Sequence, residues 1–173
     1  VAAAARRLLI VWWSNTGGTA ALVDAAARGA RDATDPGAGP AFSVLPVRCD
    51  LASPAAVRAA DALLFATPEC LGSMAGPMKA FFDRCWYPVL GTIEGRPYAT
   101  IVCAGSDGQG TLRQLERLAT GWRLRRVAEP LLAITGAQTP GAILAPKRID
   151  GADLARAGEL GATLAAGTLL GAW

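Results

Sequence analysis

The stretch Leu8 to Thr19, LLIVWWSNTGGT, constrains this chain more than any other. Leu8 to Trp13 is a short continuous apolar run, the pattern of a strand buried on both faces of a parallel sheet. It breaks into Ser14-Asn15-Thr16-Gly17-Gly18-Thr19, after which an alanine-rich segment with helical spacing begins. Hydroxyls and glycines between a buried strand and a helix start make an anion cradle. The helix N-terminus offers unpaired N–H groups and the positive end of its dipole, and glycine lets backbone approach the ligand closely. The hydroxyls of Ser14, Thr16 and Thr19 add hydrogen bonds to phosphate oxygens. No Lys or Arg stands in the loop, so dipoles and hydroxyls hold the anion, unlike the nucleotide-triphosphate loop with its terminal Lys-Ser/Thr. The dinucleotide pattern G-x-G-x-x-G occurs nowhere. An ordinary βα turn, N-capped by Thr16 or Thr19, is the competing reading.

Length and composition bound the rest. A chain of 173 residues with 52% hydrophobic and 18% charged residues suits one domain, residues 1–173, with a substantial core. No apolar run is long enough to span a bilayer. In VAAAARRLLIVWW the apolar part after Arg6-Arg7 is short and no cleavage site follows, which reads as a leader into the first strand of a cytoplasmic protein. Cys49, Cys70, Cys85 and Cys103 form no C-x-x-C pair and read as free thiols, with no metal site. The chain has no histidine, which removes the usual general base and any Ser-His or Cys-His nucleophile. Chemistry must then come from a cofactor or from carboxylates. A net charge of +3, without a basic stripe, does not point to nucleic acid.

Along the chain, Thr19 to about Asp32 reads as a helix with Leu22, Val23, Ala26 and Ala30 inward, and Thr34 to Pro40 as a break. Ala41 to Val47 reads as a second strand, placed at the sheet edge by Pro46. Ser53-Pro54 is an N-cap followed by proline at the first helical position, opening a short helix through Ala60. Ala62 to Ala66 is a third buried strand, ending in the loop Thr67 to Gly76. A helix from near Pro77 carries Met78, Phe81, Phe82 and Cys85 on its core face. Tyr98 to Ala104 is a fourth strand, followed by the loop Gly105 to Gly110 and a helix from Thr111 to Thr120. Val127 to Ile134 supplies a fifth strand, irregular at Pro130. Thr135 to Arg148 reads as irregular, and Asp150 to about Gly167 as a last helix. Alternating βα elements imply a doubly wound parallel α/β sheet with helices on both faces, binding ligands beyond the strand C-terminal ends. A strand order of 2-1-3-4-5 would bring the loops after strands one, three and four together.

The Ser/Thr-x-Thr-Gly-x-Thr pattern directly after strand one resembles the FMN phosphate loop of flavodoxins. Thr67 to Arg84, TPECLGSMAGPMKAFFDR, resembles the corresponding run of flavodoxin-like NAD(P)H:quinone oxidoreductases and FMN reductases. With the turn Glu94 to Pro97, the similarity covers Leu8 to about Leu132. It implies a five-stranded flavodoxin-like fold and FMN as cofactor, its phosphate on Ser14, Asn15, Thr16, Gly17, Gly18 and Thr19. The flavin ring would lie between Pro68, Glu69, Cys70, Leu71, Gly72 and Ser73 on one side and Ala104, Gly105, Ser106, Asp107 and Gly108 on the other. Gly72, Gly105 and Gly108 would permit close backbone contact with the ring edge, and Pro68 and Leu71 offer apolar walls. Many relatives place an aromatic near Leu71, and here both ring-side loops lack one. Trp13 could reach the site, although strand alternation sends either Trp12 or Trp13 into the core. Trp86 and Tyr87 read as local packing or, in a homo-oligomer, as cover for a neighbour's flavin. Cys70 reads as a small apolar filler, since Glu69 beside it disfavours a thiolate.

The resemblance implies an FMN-dependent oxidoreductase passing hydride from NAD(P)H to a quinone or similar small acceptor, with the reaction on the flavin rather than on protein acids or bases. The alternative is an electron-carrier flavodoxin without turnover of its own. Carriers are typically strongly acidic, and 17 basic against 14 acidic residues favour the enzyme. A flavodoxin-like interaction module without cofactor is a third reading, opposed by the intact SNTGGT loop.

Overall fold

The structure is a computed structural model that describes residues 5–34 and 42–173. β1 (Arg6–Trp12) leads into α1 (Gly18–Asp32), and β2 (Phe42–Arg48) into α2 (Pro54–Ala59), which Ser53 caps by accepting from Ala56 N at 3.2 Å. Residues 35–41, with most of the expected break and the first residue of the expected second strand, lie outside the described residues. β3 (Ala62–Cys70) runs four residues beyond the expected strand and folds back through β4 (Ser73–Met74) before α3 (Gly76–Val89). β5 (Pro97–Ala104) precedes α4 (Gln109–Gly121). β6 (Arg125–Arg126) lies just before the expected fifth strand, of which only the second half forms, as β7 (Leu131–Ile134); the segment between them contains Pro130, whose missing N–H cannot join a ladder. α5 (Pro140–Leu144) and α6 (Gly151–Leu170) complete the chain.

The sheet order is β2-β1-β3-β5-β6, with β7 also on β5 and every main pairing parallel. This is the 2-1-3-4-5 order, with the fifth place shared by two short strands. Among the described residues β2 pairs only with β1, so Pro46 sits at an edge. β1 lies between strands reached in opposite directions, so the switch point falls between β1 and β3.

Helices cover both faces. On one, α1 and α6 pack on Leu8, Ile10, Leu64 and Ile101. Small residues let these two helices meet backbone to backbone: a Cβ on Gly161 would lie 1.9 Å from the Ala26 carbonyl oxygen. On the other face, α2, α3 and α4 cover Leu9, Phe65 and Val102. Phe65, Phe82 and Trp122 form an aromatic cluster there, with both outer rings meeting Phe82 at 4.9 Å between centroids. Each such ring stabilises the fold by roughly 1.5–3 kcal/mol on burial, which pins α3 and α4, and the loops they begin from, to the sheet.

Candidate active site at the strand ends

The loops after β1, β3, β5 and β7 enclose a cleft of about 540 Å³ at the C-terminal edge of the sheet. Its size lies within the range of small-molecule and cofactor sites. The first wall is the β1–α1 loop. Gly17 is the N-cap of α1 at φ +89°, a left-handed conformation suited to glycine. No side chain caps this helix and its first turn carries no acid, so its dipole opens toward the cleft uncompensated. Ser14 Oγ accepts from Gly17 N at 3.1 Å and shapes the loop. Thr19 Oγ1 is buried with no hydrogen-bond partner among the described residues, though it sits near enough to the Cys103 thiol to ease its ionisation. A buried hydroxyl left without a strong partner costs free energy, and a phosphate oxygen in the cleft would relieve it. These features fit an anionic group, as FMN carries. Neither threonine caps α1, so the competing reading of the turn does not describe this helix.

Asn15 links the first wall to the second. Its Oδ1 accepts from Trp13 Nε1 at 2.7 Å, and its Nδ2 donates to Cys70 Sγ at 3.4 Å. Trp13 thus packs half-buried against one core while holding Asn15, with the Arg48 guanidinium 4.8 Å from its ring centre. Trp12 packs against the opposite core. Burial is the main influence raising the Cys70 thiol pKa; the Asn15 contact opposes it and Glu69 adds to it, so the residue is held as a thiol.

The second wall is the β3–β4 hairpin. Thr67 Oγ1 accepts from Ala75 N at 3.2 Å, and Gln114 Oε1 accepts from both Ser73 Oγ and Met74 N at 2.8 and 2.9 Å. Glu69 Oε2 accepts from Gly108 N at 3.1 Å, placing a carboxylate at the start of α4 where the helix dipole favours it. The loop after β5 forms the third wall, with Cys103, Ala104, Gly105 and Ser106. Burial, the largest influence, pushes the Cys103 thiol up to about 11 despite the nearby Lys147.

The fourth wall comes from the segment read as irregular. Thr135, Ala137, Ile143, Leu144 and Lys147 line the cleft, and five residues of the segment form α5. Its start, Thr139-Pro140, is the same cap-then-proline signal as Ser53-Pro54, and Thr139 Oγ1 accepts from Ala142 N at 3.3 Å. The signal was present in the sequence. Lys147 lies beside the SNTGGT loop: its N donates to Thr16 O at 2.8 Å, and Nζ donates to the carbonyls of Ala142, Ile143 and Ala145.

Of the residues expected at the site, Ser14, Asn15, Thr16, Gly18, Thr19, Pro68, Glu69, Cys70, Leu71, Gly72, Ala104, Gly105 and Ser106 line the cleft. Gly17, Ser73, Asp107 and Gly108 do not line it. Gly17 shapes the loop from behind, and Ser73 is turned to Gln114. Gly108 has a reason within the protein: a Cβ there would lie 2.3 Å from Leu132 Cδ1. Gly105 is likewise met by the Ala137 carbonyl, 2.7 Å from where its Cβ would stand. Trp86 and Tyr87 lie in the last turns of α3, at the end of the sheet opposite the cleft. Trp86 packs on the core and Tyr87 is exposed.

Three comparisons bear on this geometry. The family model described as NADPH-dependent FMN reductase matches residues 52–139, which include the hairpin and the loop after β5. Over 57 residues the chain is 47% identical to an NAD(P)H-dependent FMN reductase of Pseudomonas aeruginosa; the match covers 33% of this chain and 30% of that protein's length. Among solved structures, the chain is similar to a WrbA-like flavodoxin from Agrobacterium tumefaciens, with TM-score 0.73, 21% identity and coverage of 94% and 97% of the two chains. A flavodoxin from the domain Archaea gives TM-score 0.71 and 16% identity, with 94% and 98% covered. The fold is flavodoxin-like.

Proposed function

The chain belongs to the NADPH-dependent FMN reductase family with FMN as its cofactor, and from that premise we propose an oxidoreductase that takes hydride from NAD(P)H and delivers electrons to a quinone or similar small acceptor. One observation supports FMN in this cleft: the uncapped start of α1 and the Thr19 hydroxyl, unpartnered among the described residues, open into it. Ser14, Asn15, Thr16, Gly18 and Thr19 would hold the phosphate, and the hairpin wall at Pro68 to Gly72 and the wall at Ala104 to Ser106 would hold the flavin ring. When bound, FMN supplies the chemistry, accepting hydride from the reduced nicotinamide and giving two electrons to the acceptor while protons come from solvent.

The chain's own residues position and exclude. The α1 dipole and the Lys147 ammonium offset the phosphate charge. The Trp13–Asn15–Cys70 chain of contacts fixes the phosphate wall relative to the hairpin wall, so cofactor and hairpin keep one geometry. No aromatic residue lines the cleft among the described residues, which leaves a ring face for nicotinamide and acceptor in turn. Cys70 and Cys103, held as thiols, take no part as nucleophiles. The four cysteines are unpaired, which supports a reducing, cytoplasmic setting.

The test is anaerobic addition of NADPH or NADH to the FMN-loaded protein, followed by visible absorbance, then a quinone. Bleaching by a nucleotide without any partner protein, and recovery of colour with quinone, is the expected result. A flavin that neither nucleotide bleaches would overturn the enzyme reading in favour of a carrier.

A further inference from the structure

Three walls of the cleft are fastened to the body of the molecule and one is not. The hairpin rests on α4 through Gln114, which accepts from Ser73 and Met74, and through Glu69, which accepts from Gly108 N. The β1–α1 and β5 walls continue buried central strands. The α5 wall has neither support. Gln138 to Pro146 are all exposed and no residue of α5 is buried, although Ala137, Ile143 and Leu144 line the cleft. Among the described residues, the hydrogen bonds of residues 136–146 all stay within Thr139 to Lys147. A helix without a buried face belongs to the low-stability end of a fold's opening motions.

The segment meets the body at two tethers. At one end Thr135 N and Oγ1 donate to Ala104 O at 2.9 and 3.2 Å, and at the other Lys147 N donates to Thr16 O at 2.8 Å. Gly136, at φ +71° with nothing within 4 Å of where its Cβ would stand, directly follows the first tether, and glycine turns there at little steric cost. Between the tethers the chain is shortened by its own winding. A helix advances ~1.5 Å per residue and an extended chain ~3.3 Å, so unwinding the five residues of α5 would lengthen the segment by ~9 Å. So short a helix is marginal by itself. Two groups hold this one wound. Thr139 Oγ1 accepts from Ala142 N at 3.3 Å, and the Lys147 ammonium donates to the carbonyls of Ala142, Ile143 and Ala145 at 2.8, 2.7 and 2.6 Å. Both grip the segment itself rather than the body, so they set its length.

We propose that α5 is a strap whose winding gates the cleft: wound, it is drawn tight against the cleft between Thr135 and Lys147, and unwound, it slackens and lets FMN in or out. This rests on the cleft being the FMN site. FMN passes only through the slack fraction, so entry and release scale together with that fraction, while the affinity, set by the three fastened walls, does not change. Thr139 and Gly141 control the winding without lining the cleft, and a Cβ on Gly141 meets nothing within 4 Å.

The experiment compares wild type, Thr139→Ala and Gly141→Ala. Association and dissociation of FMN, and of riboflavin as a probe without phosphate, are followed by stopped-flow flavin fluorescence at two protein concentrations. Amide hydrogen exchange of α5 is read by mass spectrometry. Thr139→Ala, which loses the cap, is expected to speed both association and dissociation about fivefold and to raise exchange in α5. Gly141→Ala, which favours the helix, should slow both about threefold and lower that exchange. Affinity should stay within about twofold throughout, and riboflavin should show the same factors as FMN. Rates unaltered in both variants would overturn the proposal. So would a change in dissociation matched by affinity with association constant, because α5 would then hold the cofactor rather than gate it. Rates that follow protein concentration would also overturn it, since a second copy would then cover α5. FMN that fails to bind the wild type refutes the cofactor reading and the strap together; FMN that binds at unaltered rates refutes the strap alone.

Discussion

Replacing Thr19 by valine should move stability and cofactor affinity in opposite directions. Valine keeps the β-branched shape and nearly the volume, and removes only the hydroxyl. In the apoprotein that hydroxyl is buried in the second position of α1 without a hydrogen-bond partner among the described residues. An unsatisfied buried hydroxyl costs ~1–3 kcal/mol, so its removal should stabilise the apoprotein by about 1 kcal/mol, allowing for its weak interaction with Cys103. For a chain of this size that corresponds to a rise of ~2–4 °C in melting temperature. With FMN bound, the same hydroxyl would donate to a phosphate dianion. A hydrogen bond to a charged group contributes ~1.5–3 kcal/mol, and at ~1.4 kcal/mol per tenfold its loss should weaken FMN binding roughly 10- to 150-fold. Calorimetry of the apoprotein and titration by flavin fluorescence measure the two effects separately. A lowered apoprotein melting temperature with unchanged FMN affinity would refute the reasoning, because the hydroxyl would then be satisfied within the fold and remote from the phosphate. Gly18 is a poorer probe of the same cradle: a Cβ there meets Cys103 Sγ at 2.8 Å and Lys147 Cβ at 3.1 Å, so any side chain disrupts the wall before it tests the anion.

Two further predictions concern the frame. Arg96 is half-buried at the end of the sheet away from the cleft, where Nη1 donates to the carbonyls of Val57, Arg58 and Ala60 at the end of α2 and Nη2 donates to Thr92 O at 3.2 Å. Arg96→Met should lower stability in urea by ~2–4 kcal/mol through orphaned carbonyls, while FMN affinity changes less than about twofold. Burial, the first cause, lifts both Cys49 and Cys103 from 9.0 to about 11, so the folded chain holds thiols where the unfolded chain ionises. Their stabilising contribution is therefore full below pH 9 and is lost as pH rises through 11, by ~3 kcal/mol for each thiol at most. Urea unfolding between pH 8 and 10.5 should show a steep fall in wild type and a shallower one in Cys103→Ala; identical slopes would contradict the assignment.

Much of this protein was readable from local pattern. Leu8 to Trp13 and Ala62 to Ala66 are apolar runs that only a doubly covered strand can bury, and both are central strands. The spacing of Met78, Phe81, Phe82 and Cys85 specifies one helix face, and all four are buried. These signals work because pleat and helix periods are properties of a few consecutive residues. The β1–α1 turn was legible for the same reason, as strand, turn and helix start are contiguous in the chain. Other features were decided only by the tertiary structure. The extension of β3 past Ala66 depends on the partners β5 and β4, which Pro68 and Cys70 cannot announce alone. Gly105 and Gly108 looked fitted to a ligand, yet Ala137 and Leu132, more than twenty residues later in the chain, account for their missing side chains. Lys147 is the clearest case. Nothing near it in sequence marks it as a neighbour of the β1–α1 loop about 130 residues earlier, because that proximity is created by the crossing of the whole sheet, which brings the ends of β1 and β7 to one edge and lays the segment after β7 back across the mouth of α1.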